Sequence, residues 1–175
     1  MEAVAFLVNT LFGLATFVLL LRLLLQGVRA DFRNPLVRGI AQLTNPVILP
    51  LRRWIPAVGR IDSASVLAVV AMTACKLWVL ELISPLPAFF GLNFVRLLAI
   101  ELVQLLLQSY LYLILLYAVS SFFTQGGYSP GRAMLASLCE PILQPIRRRL
   151  PAISGFDLSP LVALLAIQAL LLLVR

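Results

Sequence analysis

The chain has 175 residues, 62% of them apolar and 12% charged, with a formal net charge of +7 and a mean hydropathy of +1.03. Soluble domains average about 45–50% apolar and about 25% charged, so a water-soluble globule could not cover its surface with this composition. A soluble domain is excluded, and an all-α polytopic membrane protein is expected. The charge does not point to nucleic acid either. Ten of the 14 basic residues fall in two loops, which is how topology signals are distributed.

Four apolar runs follow in chain order: Val4–Gly27, Ala64–Ile83, Phe94–Phe123 and Leu158–Val174. A bilayer core of about 30 Å needs about 20 helical residues, with a lower limit of about 17, so four transmembrane helices are predicted. The last run sits at that limit, and Ser159-Pro160 supplies its helix start. Asp62-Ser63 plays the same part before the second run. On the face Ala64, Ala68, Ala71 and Cys75 the second run carries small residues suited to close packing. Arg22 lies near the end of the first run, where it is expected to snorkel.

The connections differ in charge. Between residues 29 and 62 lie six arginines (29, 33, 38, 52, 53 and 60), and between 124 and 157 lie four (132, 147, 148 and 149). The middle connection, residues 84–93, carries none. The positive-inside rule places both basic loops in the cytoplasm, with both termini and the middle connection outside.

The two basic loops are copies. Pro46-Val47-Ile48-Leu49-Pro50-Leu51-Arg52-Arg53-Trp54-Ile55-Pro56-Ala57 aligns without a gap on Pro141-Ile142-Leu143-Gln144-Pro145-Ile146-Arg147-Arg148-Arg149-Leu150-Pro151-Ala152. The offset is 95 residues (Pro46 to Pro141), and the match runs from Pro35/Pro130 to Asp62/Asp157. A duplication of this kind divides the chain into two hairpin repeats, 1–88 and 89–175. Each holds two spans, so the copies share one orientation and should be related by a pseudo-two-fold axis along the membrane normal. In the first loop Leu36, Val37, Ile40 and Leu43 share one helical face, and Val47, Ile48, Leu51, Trp54 and Ile55 give the following stretch an apolar side. Its prolines predict two short helices with a break at Thr44-Asn45, which would cap the second, and Pro56 would end it. Each loop then reads as a broken amphipathic helix in the headgroup region. Arg52, Arg53 and Trp54, with Arg147, Arg148 and Arg149, would face anionic lipid phosphate or a partner. Asp62 and Asp157 are repeat caps.

Charges inside spans are costly, about 2.5–3.5 kcal/mol each at the bilayer centre, and so informative. Lys76 and Glu101 lie equally far before and after the middle connection, as do Glu81 and Arg96. Antiparallel helices therefore place each opposite-charge pair at a common depth. Two readings stand: the pairs lock the repeats together, or Lys76 and Glu101 line an ion or proton path. Glu101, Gln104, Gln108 and Tyr112 form a polar stripe that either joins helices or lines a pore, and Gln104 aligns with Asn9.

The chain has no histidine. Cys75 and Cys139 have no CxxC spacing, and GxSxG, HExxH and P-loop signatures are missing. No enzyme activity, metal or cofactor is expected.

The duplicated P-x-x-x-P-x-R-R-x-x-P stretch followed by Asp resembles the YggT family of bacterial and plastid membrane proteins. Larger bacterial members of that family carry two such modules, and the resemblance covers essentially the whole chain. The second copy, ending Gly155-Phe156-Asp157-Leu158-Ser159-Pro160, is nearer the family pattern; the first has Arg60 and Ser65 where the second has Gly155 and Pro160. The resemblance implies a bacterial inner-membrane protein linked to osmotic-shock tolerance and potassium uptake. It implies no catalytic residues. Relatives in photosynthetic lineages are associated with nucleoid distribution, division and cytochrome assembly. Two functions follow as expectations: a component of ion homeostasis, or a membrane scaffold that organises anionic lipid or recruits partners, including a second copy or another membrane protein.

Overall fold

The computed structural model describes residues 2–55, 62–83, 91–123, 129–149 and 157–174. These form six α-helices: α1 (Glu2–Gly27), α2 (Pro35–Trp54), α3 (Ser63–Ile83), α4 (Leu92–Phe123), α5 (Pro130–Arg147) and α6 (Ser159–Leu173). Three of them, α1, α3 and α4, are long and apolar enough to cross a membrane, and α6 is a shorter apolar helix. Their outward faces carry Phe6, Leu7, Leu11, Val95, Leu116 and Leu165, all exposed. So much apolar surface would be costly in water and suits an apolar solvent.

The 95-residue offset recurs in space. Helix α1 packs on α3 as α4 packs on α6, while α2 lies against α1 and α3 as α5 lies against α4 and α6. Equivalent positions are buried in both halves: Leu19 with Ile114, Ile48 with Leu143, and Ala68 with Ala163. The two halves meet through α3 against α4 and through α2 against α5. At the second contact the Asn34 side chain accepts from Leu36 N at 2.9 Å, capping α2, and its Nδ2 donates to Pro130 O at 2.7 Å. Both connecting helices therefore lie at one end of the bundle, as a parallel repeat requires.

Helix α1 ends on a Schellman turn. Ala30 N donates to Leu25 O (2.9 Å) and Arg29 N to Gln26 O (3.1 Å), with Arg29 in the left-handed region at φ 54°. Ala30 is then buried against the core, and the chain turns directly into α2.

The connecting helices are continuous, not broken. Helix α2 runs for 20 residues through Pro46 and Pro50, and α5 for 18 residues through Pro141 and Pro145. The reason is where the prolines fall. The inward stripe of α2 is Val37, Thr44 and Ile48, whereas Pro46 and Pro50 sit on the exposed side. An interior proline frees the carbonyl four residues back; here those are Gln42 and Pro46, both on the outer face where a polar surrounding can satisfy them. Leu36, Leu43, Val47 and Leu49 remain exposed apolar groups on the same helix.

The small-residue face of α3 is also rotated from expectation. Ala64 and Ala68 are buried, but the face continues through Ser65, Val69, Thr73 and Lys76, leaving Ala71 and Cys75 exposed. The uncharged stretch 84–90, Pro56 and the Arg60/Gly155 difference lie outside the described residues.

Candidate functional site: an axial cleft and two arginine clasps

Two polar constellations interrupt the apolar bundle. The larger is a cleft of about 900 Å³ between α1, α3 and α4. Helix α1 contributes Asn9, Thr10, Gly13, Leu14 and Phe17, and α4 contributes Gln104, Leu105, Gln108, Ser109 and Tyr112. Each residue of the first set is the 95-offset partner of one in the second. The cleft therefore lies on the pseudo-two-fold axis, between helices that are equivalent in the two repeats. The glutamines of the predicted stripe also line a second, adjoining cleft of about 430 Å³ with Gln168. Gln104, Gln108 and Tyr112 thus face cavities on two sides.

Lys76 and Glu101 close one wall of the larger cleft as an ion pair between α3 and α4. Lys76 is buried and Glu101 partly exposed. Pairing across the two helices offsets much of the cost that either charge would carry alone. Glu81 and Arg96 do not follow. Among the described residues the ion pairs do not include one between Glu81 and Arg96; Arg96 is exposed and Glu81 half-buried. Five residues of α-helix turn a side chain by about 140° beyond a full turn, so facing at Lys76/Glu101 aims the second pair elsewhere.

The second constellation joins each connecting helix to the span that follows. Arg52 Nη2 donates to Asp62 Oδ2 at 2.6 Å, and Arg147 Nε donates to Asp157 Oδ2 at 2.6 Å. These pairs are again 95 residues apart, so the two clasps are copies. Asp62 also accepts from Ser65 Oγ at 2.7 Å, and Asp157 Oδ1 accepts from Ser159 N at 2.9 Å. Asp157 thus accepts a first-turn backbone N–H of α6 together with its arginine, whereas Asp62 accepts a first-turn hydroxyl of α3 together with its own. Burial would raise the Asp62 carboxyl, but hydrogen bonds from Arg52 and Ser65 outweigh it and hold the group below the usual carboxylate range. Asp157 is likewise lowered, its burial outweighed by hydrogen bonds from Ser159 and Arg147. The Tyr117 hydroxyl beside Arg147 raises that guanidinium, against the opposing effect of burial, and Asp157 adds to it.

The clasps differ in depth. The Asp62 side chain is 0% exposed beneath Arg52 at 39%, whereas Arg147 and Asp157 are 37% and 40% exposed. They also differ at the span residue above them, Arg22 in one repeat and Tyr117 in the other. Arg22 does not snorkel. It is 8% exposed, and its Nη1 lies within hydrogen-bond distance of Ala41 O (2.9 Å), Thr44 Oγ1 (2.7 Å) and Asn45 Oδ1 (2.8 Å). Thr44 and Asn45 therefore receive Arg22 instead of capping a second helix.

Of the predicted basic contacts, Arg52 and Arg147 are spent on the clasps. Arg53, Arg148 and Arg149 are exposed, and the Trp54 side chain lies outside the described residues. Sequence reasoning did not use Thr10, Ser109 or Tyr117. The offset carries a signal for the first two, since Thr10 and Ser109 flank the equivalent pairs Asn9/Gln104 and Gly13/Gln108. The Cys139 thiol, buried in the α5 core, is pushed up to about 12 by desolvation, so it behaves as a packing group. Among the described residues no group of three or more His, Cys, Asp or Glu could hold a metal.

Two like-oriented helical modules, each with an arginine clasp, around a polar axial cleft define a tandem-repeat helical protein of membrane-like composition. The profile of the CCB3/YggT family matches residues 1–83 and 97–175, so the chain belongs to that family. An uncharacterised protein encoded beside proC in Vibrio alginolyticus is 41% identical over 169 residues, covering 96% of this chain and 91% of the relative. The uncharacterised YggT protein of Escherichia coli K12 is 38% identical over 171 residues, 97% of this chain and 88% of the relative. An uncharacterised Pseudomonas aeruginosa protein is 36% identical over 173 residues, 98% and 88% respectively. No solved structure matches.

Proposed function

We propose that the protein is a non-enzymatic component of ion homeostasis in the bacterial inner membrane, and that it handles potassium under osmotic stress. Four helices span the bilayer in this reading. The 15-residue α6 covers only about 22 Å at 1.5 Å per residue and is accommodated by local thinning. Helices α2 and α5 lie in the cytoplasmic headgroup layer, and both termini are outside. The exposed arginines Arg53, Arg148 and Arg149 at the ends of these helices support that orientation.

The observation that carries the reading is the axial cleft. Polar side chains in an apolar bundle are costly unless they serve packing or passage. A volume of about 900 Å³ argues that these do not merely join helices. Potassium flux into proteoliposomes containing the purified full chain tests it. Wild-type flux, abolished by Glu101→Gln in a protein that still folds, is the expected result. An impermeable wild type would refute the transport reading.

The alternative is a scaffold that binds anionic lipid or recruits a membrane partner through α2 and α5. The exposed apolar residues of α2 beside Arg53 favour it. It predicts no flux, and lipid or partner binding lost on substitution of Arg53 and Arg148.

A further inference from the structure

We propose that the Lys76–Glu101 pair is a self-occupied cation site: the Lys76 ammonium holds the position that a dehydrated monovalent alkali cation would take on Glu101. The inference rests on reading the cleft as a place that handles cations, and it names the residue that keeps it closed.

The chemistry of the wall supports it. Thr10 Oγ1 donates to Phe6 O at 2.8 Å, and Ser109 Oγ donates to Leu105 O at 2.6 Å. Each hydroxyl has one hydrogen, and both are spent on their own helices, so lone pairs are what these groups offer the cleft. Gln104 Nε2 reaches Val174 O at 3.5 Å, which leaves its carbonyl oxygen as an acceptor. The cleft that Glu101 helps to close thus offers oxygen acceptors and a single carboxylate along its length. Hard cations take such oxygen sets. One negative charge in an apolar bundle neutralises a monovalent ion and leaves a divalent one uncompensated.

Lys76 already neutralises that carboxylate. Its ammonium is a compact cation that needs the same acceptors, and it is 7% exposed. Because it is tethered to the wall, its effective concentration at Glu101 lies in the millimolar range or above, which a free ion must exceed. In the wild type the site is closed to bulk cations for as long as the pair holds. Removal of the ammonium charge opens it.

The test uses purified full-length protein in detergent, with potassium chloride exchanged for N-methylglucamine chloride at constant ionic strength and the thermal midpoint as readout. A ligand that binds only the folded state raises the midpoint with the logarithm of its concentration above Kd. Lys76→Gln should gain a potassium-dependent rise of several degrees. Wild type and the Lys76→Gln/Glu101→Gln double variant should stay flat. If Lys76→Gln responds no more than the double variant, as it would if Glu101 simply took up a proton, the inference is overturned. Failure of Lys76→Gln to fold even with potassium present overturns it too. A potassium response in Lys76→Gln together with an impermeable wild type would refute transport but keep the site. Wild-type flux without that response would do the reverse.

Discussion

The two clasps occupy equivalent positions but should not be equally important. Substitution of Asp62 or Asp157 by Asn removes the charge while keeping a residue that caps helices as well as Asp does. At Asp62 the carboxylate is fully buried, accepts from Arg52 and Ser65, and lies near the buried Arg22. A charge-assisted hydrogen bond is worth roughly 1.5–3 kcal/mol. Loss of a fully buried pair's partner costs about 3–5 kcal/mol, but Arg52 is partly exposed and can turn to solvent, which reduces the penalty. Asp62→Asn should therefore cost about 2 kcal/mol. At the second clasp both partners are more than a third exposed, where pairs are worth about 0–1 kcal/mol. Asp157→Asn should cost less than about 1 kcal/mol. Equilibrium unfolding in mixed detergent–SDS micelles measures both, and a double-mutant cycle with Arg52→Gln isolates the pairing energy. Equal losses from the two substitutions, or a larger one at Asp157, would refute the argument from burial.

Further expectations follow from the same geometry. Arg22→Ala strips a buried donor from Thr44, Asn45 and Ala41 and should destabilise by about 2–4 kcal/mol, against less than about 1 kcal/mol for Tyr117→Phe; unfolding titrations compare them. Both clasp aspartates are lowered in the folded state. Their stabilisation is complete above the ordinary value of 3.8 and lost as pH falls through the folded values. The thermal midpoint should accordingly drop below about pH 4, with a shallower fall in Asp62→Asn. Cys139 should resist maleimide at pH 8 in the folded protein and react after denaturation, as read by mass spectrometry; rapid native labelling would contradict its placement in the α5 core.

Much of this architecture was legible in the sequence because it repeats. The offset from Pro46 to Pro141 predicted two like-oriented modules, and it reappears in the paired helices, the buried Ile48/Leu143 and the twin clasps. Counting outward from the middle connection placed Lys76 opposite Glu101, since depth along a helix is linear in residue number. The same count mispaired Glu81 with Arg96, because depth says nothing about rotation around the helix. The prolines misled for a related reason. A proline breaks a helix most readily where its freed carbonyl is buried, and only the folded register shows Pro46 and Pro50 on the outer side. Arg22 was illegible within its apolar run, since its acceptors lie 19 to 23 residues further on and reach it only after α2 folds back.

Whether the axial cleft is the route for cations decides between transport and scaffold. In a background with Cys75 and Cys139 replaced by Ala, cysteines at Asn9 and Gln104 would stand on the two facing helices of that cleft. A short bismaleimide that bridges them fills the space between α1 and α4, and potassium flux can be followed as the bridged fraction grows. The cleft account predicts that flux falls in proportion to that fraction, while either single cysteine treated alike is unaffected. Undiminished flux through fully bridged protein would contradict it.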